Sequence, residues 1–273
     1  MRFDYVAPVT VEELSKYKKD GGRLFSGGTD LFVKIKAGAL KPSLVVDTKK
    51  IETPKIECEE ELKIYMNTTY TDVLKSECAR KFDLLLKILI EVGSPQIRNR
   101  GTPVGNIGNA SPAGDFLLST YIHDGTVVVA PSMREIPISE FVKGPGKIDL
   151  SDEEFIYAVS LKPLDGYITY YEKVGRRNAM VISIASIAVA IKMQGNVIED
   201  ARIAYGSVGP TIVRFKDLEE KLIGERPKRE LFESLAKEYS DRVKPISDVR
   251  ASAEYRKKLV ENLLMKAYLS MNL

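Results

Sequence analysis

The chain has one histidine, His123, and two cysteines, Cys58 and Cys78, among 273 residues. A single imidazole excludes any site that needs two from this chain. It also leaves few options for a Ser-His-Asp arrangement, whose Gly-x-Ser-x-Gly elbow is absent as well. Two cysteines without a Cys-x-x-Cys pair predict neither a disulfide framework nor a thiolate metal centre. An iron–sulfur cluster takes about four cysteine ligands, so this chain cannot hold one alone. Glutamine occurs only at Gln96 and Gln194 while lysine and glutamate are plentiful, a composition also found in thermophiles. No apolar run reaches the roughly 18 residues of a membrane-spanning helix. The opening MRFDYVAPVT lacks a basic stretch leading into an apolar one, so no signal peptide is expected and the cytoplasm is the expected location. Lys plus Arg number 41 against 38 Asp plus Glu, a net charge of +3. That balance excludes nucleic-acid binding driven by bulk electrostatics. Gly-x-Gly-x-x-Gly after a strand and Gly-x-x-x-x-Gly-Lys-Ser/Thr are both missing, so Rossmann and P-loop sites lack their fingerprints.

What is present is a chain with 44% hydrophobic residues, ample for real cores. At roughly 100–200 residues per domain its length suits two domains or three small ones. The spacing predicts a helix over 10–20 with a Thr10/Glu13 capping box, a strand at 23–25, a helix over 31–37 stopped by Gly38, and a strand at 44–47. Further on it predicts a strand at 62–66, a short helix capped by Thr71, a helical face from Phe82 to Leu89, and a helix restarted by Ser94-Pro95. Strands follow at 125–130 and 155–161, separated by a loop at 131–149. From Gly166 the pattern changes to antiparallel strands at 167–174, 186–193 and 197–205, the last two joined at Gln194-Gly195-Asn196. Helices at 217–222, 229–239 and from about Ser252 complete the chain. The acidic run Glu59-Glu60-Glu61 reads as a solvated turn, and His123 as a loop residue rather than a base.

Two segments stand out. Ser26-Gly27-Gly28-Thr29-Asp30-Leu31 lies between a strand and a helix. Its glycines let the backbone turn sharply and approach a ligand closely, with helix-start N–H groups converging as an anion site requires. An ordinary strand-to-helix turn remains the alternative. The second segment, Gly101 to Asp115, holds four glycines, two asparagines and little apolar bulk in fifteen residues. It reads as a long functional loop without periodicity. Two donor-rich loops in one chain suit a diphosphate, and hence a dinucleotide.

This pair of segments resembles the FAD-binding medium subunit of molybdenum hydroxylases, the xanthine dehydrogenase, carbon monoxide dehydrogenase and aldehyde oxidoreductase group. The family's loops run approximately Ala-Gly-Gly-Thr-Asp-Leu and Thr-Ile/Val-Gly-Gly-Asn-Ile/Leu-x-x-Ala-Ser-Pro-x-x-Asp. The lead-in Gln96-Ile97-Arg98-Asn99, the stretch Arg134-Glu135-Ile136-Pro137-Ile138 and the run Tyr171 to Arg177 carry the likeness across essentially the whole chain. The resemblance implies an α+β fold: two small α/β subdomains clasping FAD, over 1–55 and 56–165, then a C-terminal domain of antiparallel sheet and helices over 166–273. It implies that Arg23, Ser26, Gly27, Gly28, Thr29, Asp30 and Leu31 wrap the pyrophosphate, with Thr102, Gly105, Asn106 and Ser111 opposite. It also implies that Asp115 hydrogen-bonds the flavin portion, that Phe155 or Ile156 packs on the isoalloxazine, and that Lys173 lies at its pyrimidine edge. A cation there would stabilise the charge that develops on reduction. Val104 departs from the family's first glycine and Pro103 removes a donor, so Val104 is not expected to be a ligand contact. The implied assembly has a large molybdenum-cofactor subunit and a small subunit with two 2Fe–2S clusters, as a heterotrimer or a dimer of heterotrimers. The chain would then pass electrons to an external acceptor. A standalone FAD-dependent reductase of the same broader fold and a non-catalytic assembly module are the alternatives.

Overall fold

Short apolar runs separated by helical spacers give the first 50 residues a parallel ladder. In the computed structural model, which describes residues 2–177 and 182–273, the strands Asp4–Val6, Leu44–Asp47 and Arg23–Phe25 lie side by side in that order. The crossovers are helices. Val11–Lys19 starts at Thr10, whose side chain accepts from the Glu13 N–H at 3.2 Å, but Glu13 reaches back to the N–H of Val9 rather than of Thr10. Leu31–Lys36 ends where Gly38 takes φ +72°. Asp4–Val6 is an element the spacing does not predict, because three residues are too few to show a period.

A five-stranded antiparallel sheet follows, in the order Ile56–Cys58, Leu62–Tyr65, Phe155–Leu161, Thr126–Ala130, Arg134–Pro137. The expected loop at 131–149 instead contains that last strand, the helical turn Ile138–Phe141 and a hairpin of Val142–Gly144 with Lys147–Ile148. The short helix Tyr70–Lys75 is capped by Thr69, not Thr71. The Thr69 hydroxyl and the Asp72 carboxylate satisfy each other's backbone N–H groups in a full capping box.

The C-terminal sheet runs Tyr167–Val174, Ala185–Gln194, Val197–Gly206, Val213–Arg214, antiparallel throughout. The period-2 alternation of its strands sorts residues by size. Ile187, Val189, Ile191, Ile203 and Tyr205 pack on the helices Arg229–Arg242 and Ala253–Met271, whereas Ala188, Ala190 and Ala204 join the core of the preceding layers. Those alanines leave room for the helix Asp115–Ile122, buried from Phe116 to Ile122. Its C-terminal carbonyls meet cations, as a helix end favours. Arg214 donates to Tyr121 O at 2.9 Å and pairs with Asp124 at 2.6 Å, and Arg202 pairs with Asp124 at 3.1 Å. The core is thus continuous from the first layer to one face of the C-terminal sheet.

One expectation is overturned. Cys58 and Cys78 form a disulfide, their Cα atoms 5.8 Å apart. Sequence spacing carries no information on the turn that brings the strand Ile56–Cys58 beside the short 3₁₀ segment Cys78–Lys81. Thiol titration of the denatured, unreduced chain is expected to find no free cysteine. Closing a loop of this length is worth about 3 kcal/mol, so reductant should lower the urea midpoint. Two free thiols in the native chain would contradict the bond.

Candidate functional site

The first glycine segment leaves the C-terminal end of the strand Arg23–Phe25 and enters the helix Leu31–Lys36. It is pinned to the middle layer. The Ser26 hydroxyl donates to Met66 O at 3.2 Å, beside a reciprocal Thr48–Asn67 pair at 2.8 Å. Gly27 lies directly against the second segment, since a Cβ there would sit 2.1 Å from the Arg100 carbonyl oxygen. Gly28 takes φ +77°, and a side chain would strike the Phe25 and Phe32 rings, which pack edge to face. Neither position admits another residue without displacing backbone or a packed ring.

The second segment is not the aperiodic loop expected. Thr102 caps a helix, Pro103–Asn109, with Pro103 at its first position, and Ala110 closes it at φ 44°. The Thr-Pro start matches the Ser94-Pro95 signal, but two glycines within the helix, Gly105 and Gly108, mask its helical spacing. Pro103 therefore costs no donor, because the first N–H of a helix has no intrahelical partner. The Thr102 hydroxyl accepts from the Gly105 N–H at 3.0 Å, so that N–H is already used. Asn106 accepts from the Leu117 N–H at 3.0 Å, tying this helix to Asp115–Ile122. Ser111 accepts from the Ala113 N–H at 3.2 Å and Pro112 O accepts from Ser207 at 2.8 Å, so the C-terminal domain grips the intervening turn.

Between the two segments lies a cleft of about 500 Å³. It is bordered by Arg23, Ser26, Gly27, Gly28, Thr29, Asp30, Leu31, Thr102, Gly105, Asn106, Phe155 and Ile156 among the residues expected from sequence. Val104, the departure, also borders it but is buried. Gly108 and Asn109 of the second segment border it too, while Lys18, Lys34, Leu40, Met66, Tyr70, Ile148 and Leu150, which sequence reasoning missed, are scattered along the chain without a local motif. Three cations, Lys18, Arg23 and Lys34, stand against one carboxylate, Asp30. The same cleft is also lined by aliphatic and aromatic side chains, among them Leu40, Met66, Ile148, Leu150, Phe155 and Ile156. Gly108 borders the cleft, and a Cβ built there would make ordinary contact with Ile156 Cδ1 at 3.7 Å. A lining that combines cations with apolar and aromatic side chains fits a long ligand that joins an anionic centre to flat rings, as FAD does.

Three expected residues do not border the cleft. Ser111 orders its turn. Asp115 and Lys173 pair with each other at 2.9 Å, with the Lys173 side chain 3% exposed and its amine also donating to Glu91 O at 2.9 Å. The pair sits just behind the wall, where Val92 follows Glu91 and the buried Tyr70 feels the Asp115 charge. Burial lifts the Asp115 carboxyl to about 6 despite the pull of Lys173. The Tyr171 hydroxyl, buried without a partner, is pushed up by burial and then by Asp115. His123 lies elsewhere, its Nδ1 2.8 Å from Lys162 O, and burial pushes it down to about 4, so it stays neutral.

The comparisons with known proteins fit this geometry. Residues 1–163 match the model of the FAD binding domain in molybdopterin dehydrogenase, and residues 169–271 match that of the CO dehydrogenase flavoprotein C-terminal domain. The chain is 33% identical to the glyceraldehyde dehydrogenase medium chain of Sulfolobus acidocaldarius, covering 97% of each. It is 29% identical to the nicotinate dehydrogenase FAD-subunit of Eubacterium barkeri, covering 98% of this chain and 96% of that one. Its fold matches a carbon monoxide dehydrogenase structure from Hydrogenophaga pseudoflava with TM-score 0.93, at 24% identity over 99% of this chain and 98% of the other.

The buried carboxyl gives a testable sign. Asp115 is raised from an ordinary 3.8 to about 6, so between these values the native state keeps a proton that the unfolded chain releases. Stability from this group is present at low pH and lost as pH rises through that window. A displacement of that size is worth about 3 kcal/mol. The difference in unfolding free energy between wild type and Asp115→Asn, from urea titrations, should fall by about that much from pH 4 to 7. A difference that stays flat would mean Asp115 ionises like an exposed carboxylate.

Proposed function

Because the chain belongs to the family of FAD-binding subunits of molybdopterin dehydrogenases, we propose that it is the flavin station of a multisubunit oxidoreductase. In this reading electrons arrive from 2Fe–2S clusters in a small partner and leave to an external acceptor such as a nicotinamide, a quinone, oxygen or a protein. Substrate is oxidised at the molybdenum cofactor of a large partner, the three chains assembling as heterotrimers or pairs of them in the cytoplasm. FAD supplies the redox chemistry when bound, taking up and releasing electrons. This chain's residues bind and orient it. The segment Arg23 to Leu31, with Thr29, takes the pyrophosphate, while Thr102, Asn106 and the backbone at Gly108 meet it from the other side. Phe155 and Ile156 give an apolar surface for a ring system. Asp115 and Lys173 act as a pair behind the wall, placing charge near the cofactor.

The observation that carries this reading is the contact of the two glycine segments across one cleft, with the Gly27 backbone against Arg100 O. No acid–base group is needed for electron transfer, and the one imidazole is held neutral away from the cleft. The clusters are assigned to another chain because both cysteines are taken up in one disulfide.

The purified chain should show flavin bands near roughly 370 and 450 nm and release FAD rather than FMN on heating. Gly28→Val and Asp115→Ala should each lower FAD occupancy at least tenfold. Full occupancy in both variants would show that the cofactor sits elsewhere. A colourless protein that takes up no added FAD would favour an assembly module instead.

A further inference from the structure

The stretch Arg134 to Ile138 matches the family without an assigned role. It carries a fork that holds a loop bordering the cleft. Arg134 clamps the Glu154 carboxylate with two parallel bonds, Nε to Oε1 at 2.8 Å and Nη2 to Oε2 at 2.7 Å, and donates to Asp149 O at 2.8 Å. Glu154 is 7% exposed and its remaining capacity is filled: Ser132 donates to Oε1 at 2.7 Å and the Ser151 N–H to Oε2 at 3.0 Å. The Arg134 guanidinium holds this carboxyl well below the usual range. One carboxylate thereby fixes both ends of the loop 149–154, whose flanks Ile148, Leu150 and Phe155 border the cleft.

That loop is also what the first layer grips. From the helix Val11–Lys19, Ser15 donates to Glu153 O at 2.9 Å, and Lys18 donates to Ser151 O at 3.0 Å and Asp152 O at 2.9 Å. Two adjacent carbonyls converge on one ammonium only if the loop keeps its turned shape, and Glu154 holds that shape from beneath. This is a second junction between the layers that form the cleft, separate from the glycine contact.

We propose that Arg134 and Glu154 are positioning residues for the cofactor: they shape the loop 149–154 so that it walls the cleft and docks the helix Val11–Lys19, fixing the separation of the two layers without touching the ligand. The proposal rests on the FAD reading. A bidentate guanidinium is required, because an ammonium cannot bridge both carboxylate oxygens and a carbonyl together.

The test is the rate of FAD release from the full chain, followed by the rise in flavin fluorescence on dilution. Arg134→Met and Glu154→Gln should each release FAD at least tenfold faster. The double variant should be no faster than the worse single, because the two act as one unit. Arg134→Lys should stay fast, and methylguanidinium should slow release from Arg134→Ala. Ser15→Ala, a mild change outside the cleft, should speed release about threefold, and it decides the matter if the pair variants do not fold. Release within twofold of wild type in Ser15→Ala and in the folded pair variants would overturn the brace and leave the FAD reading standing. A wild-type chain that takes up no FAD would overturn that reading and the brace with it.

Discussion

The carbonyl oxygen of Arg100 lies where a side chain on residue 27 would begin, and the architecture of the cleft follows from that approach. With no Cβ at Gly27, two backbones from different layers touch. The layers could otherwise meet only through side chains, at a distance that would leave their donor groups too far apart to face one ligand. The approach is not free-standing. Ser26 anchors one side to Met66 O, and Thr102 ends the other in a helix cap. Each anchor satisfies a polar group that the close packing would otherwise strand. Gly27 yields space to protein, whereas Gly38 and Gly195 supply turns at positive φ.

A second constraint sets the frame. The helix Asp115–Ile122 is buried over nearly its whole length, between the middle layer and the alanine face of the C-terminal sheet. Its ends are consequently the only places where it can carry charge, and both do. At its start Asp115 meets Lys173 from the C-terminal sheet; just past its end Asp124 meets Arg202 and Arg214 from the same sheet. A pair as buried as Asp115–Lys173 adds little net stability against apolar residues of the same volume, but breaking it is costly because it leaves a charge alone. What the pairs at the two ends enforce is register: the sheet can dock on this helix at one height.

Much of the fold was legible in the sequence because the strands and helices are short but well punctuated. Ser252 and Ser94 stand at real caps, Gly38 and Gly195 at real turns. Legibility failed where glycine overrode propensity. The helix Pro103–Asn109 carries a Thr-Pro start as clear as Ser94-Pro95, yet glycines at 105 and 108 erase its apolar period. It failed also where the information is three-dimensional. The bond between Cys58 and Cys78 depends on where an edge strand meets a 3₁₀ turn, and no spacing rule reports that. For the site, local motifs pointed to the glycine-bearing walls. The rest of the lining, with Lys18, Tyr70, Ile148 and Leu150, comes from distant segments that only packing unites. Asp115 and Lys173, each expected to face a ligand, instead satisfy each other behind the wall.

The division of cores bears on how a bound dinucleotide would act on the whole molecule. A ligand that binds only the native state stabilises whatever must stay folded to keep its site intact. Here the cleft is bordered by residues of the first and middle layers, and one core runs through both into the alanine face of the C-terminal sheet. Occupying the cleft therefore protects the two layers directly and the sheet through the buried helix. The other face of that sheet, with its two long helices, packs in a separate core and contributes no residue to the cleft. One direct connection to that face is the grip of Ser207 on Pro112 O together with the hold of Arg256 on Ser207 O at 2.9 Å. The helix Ala253–Met271 is thus linked by two successive hydrogen bonds to the turn at Pro112, which follows the helix Pro103–Asn109 along the cleft.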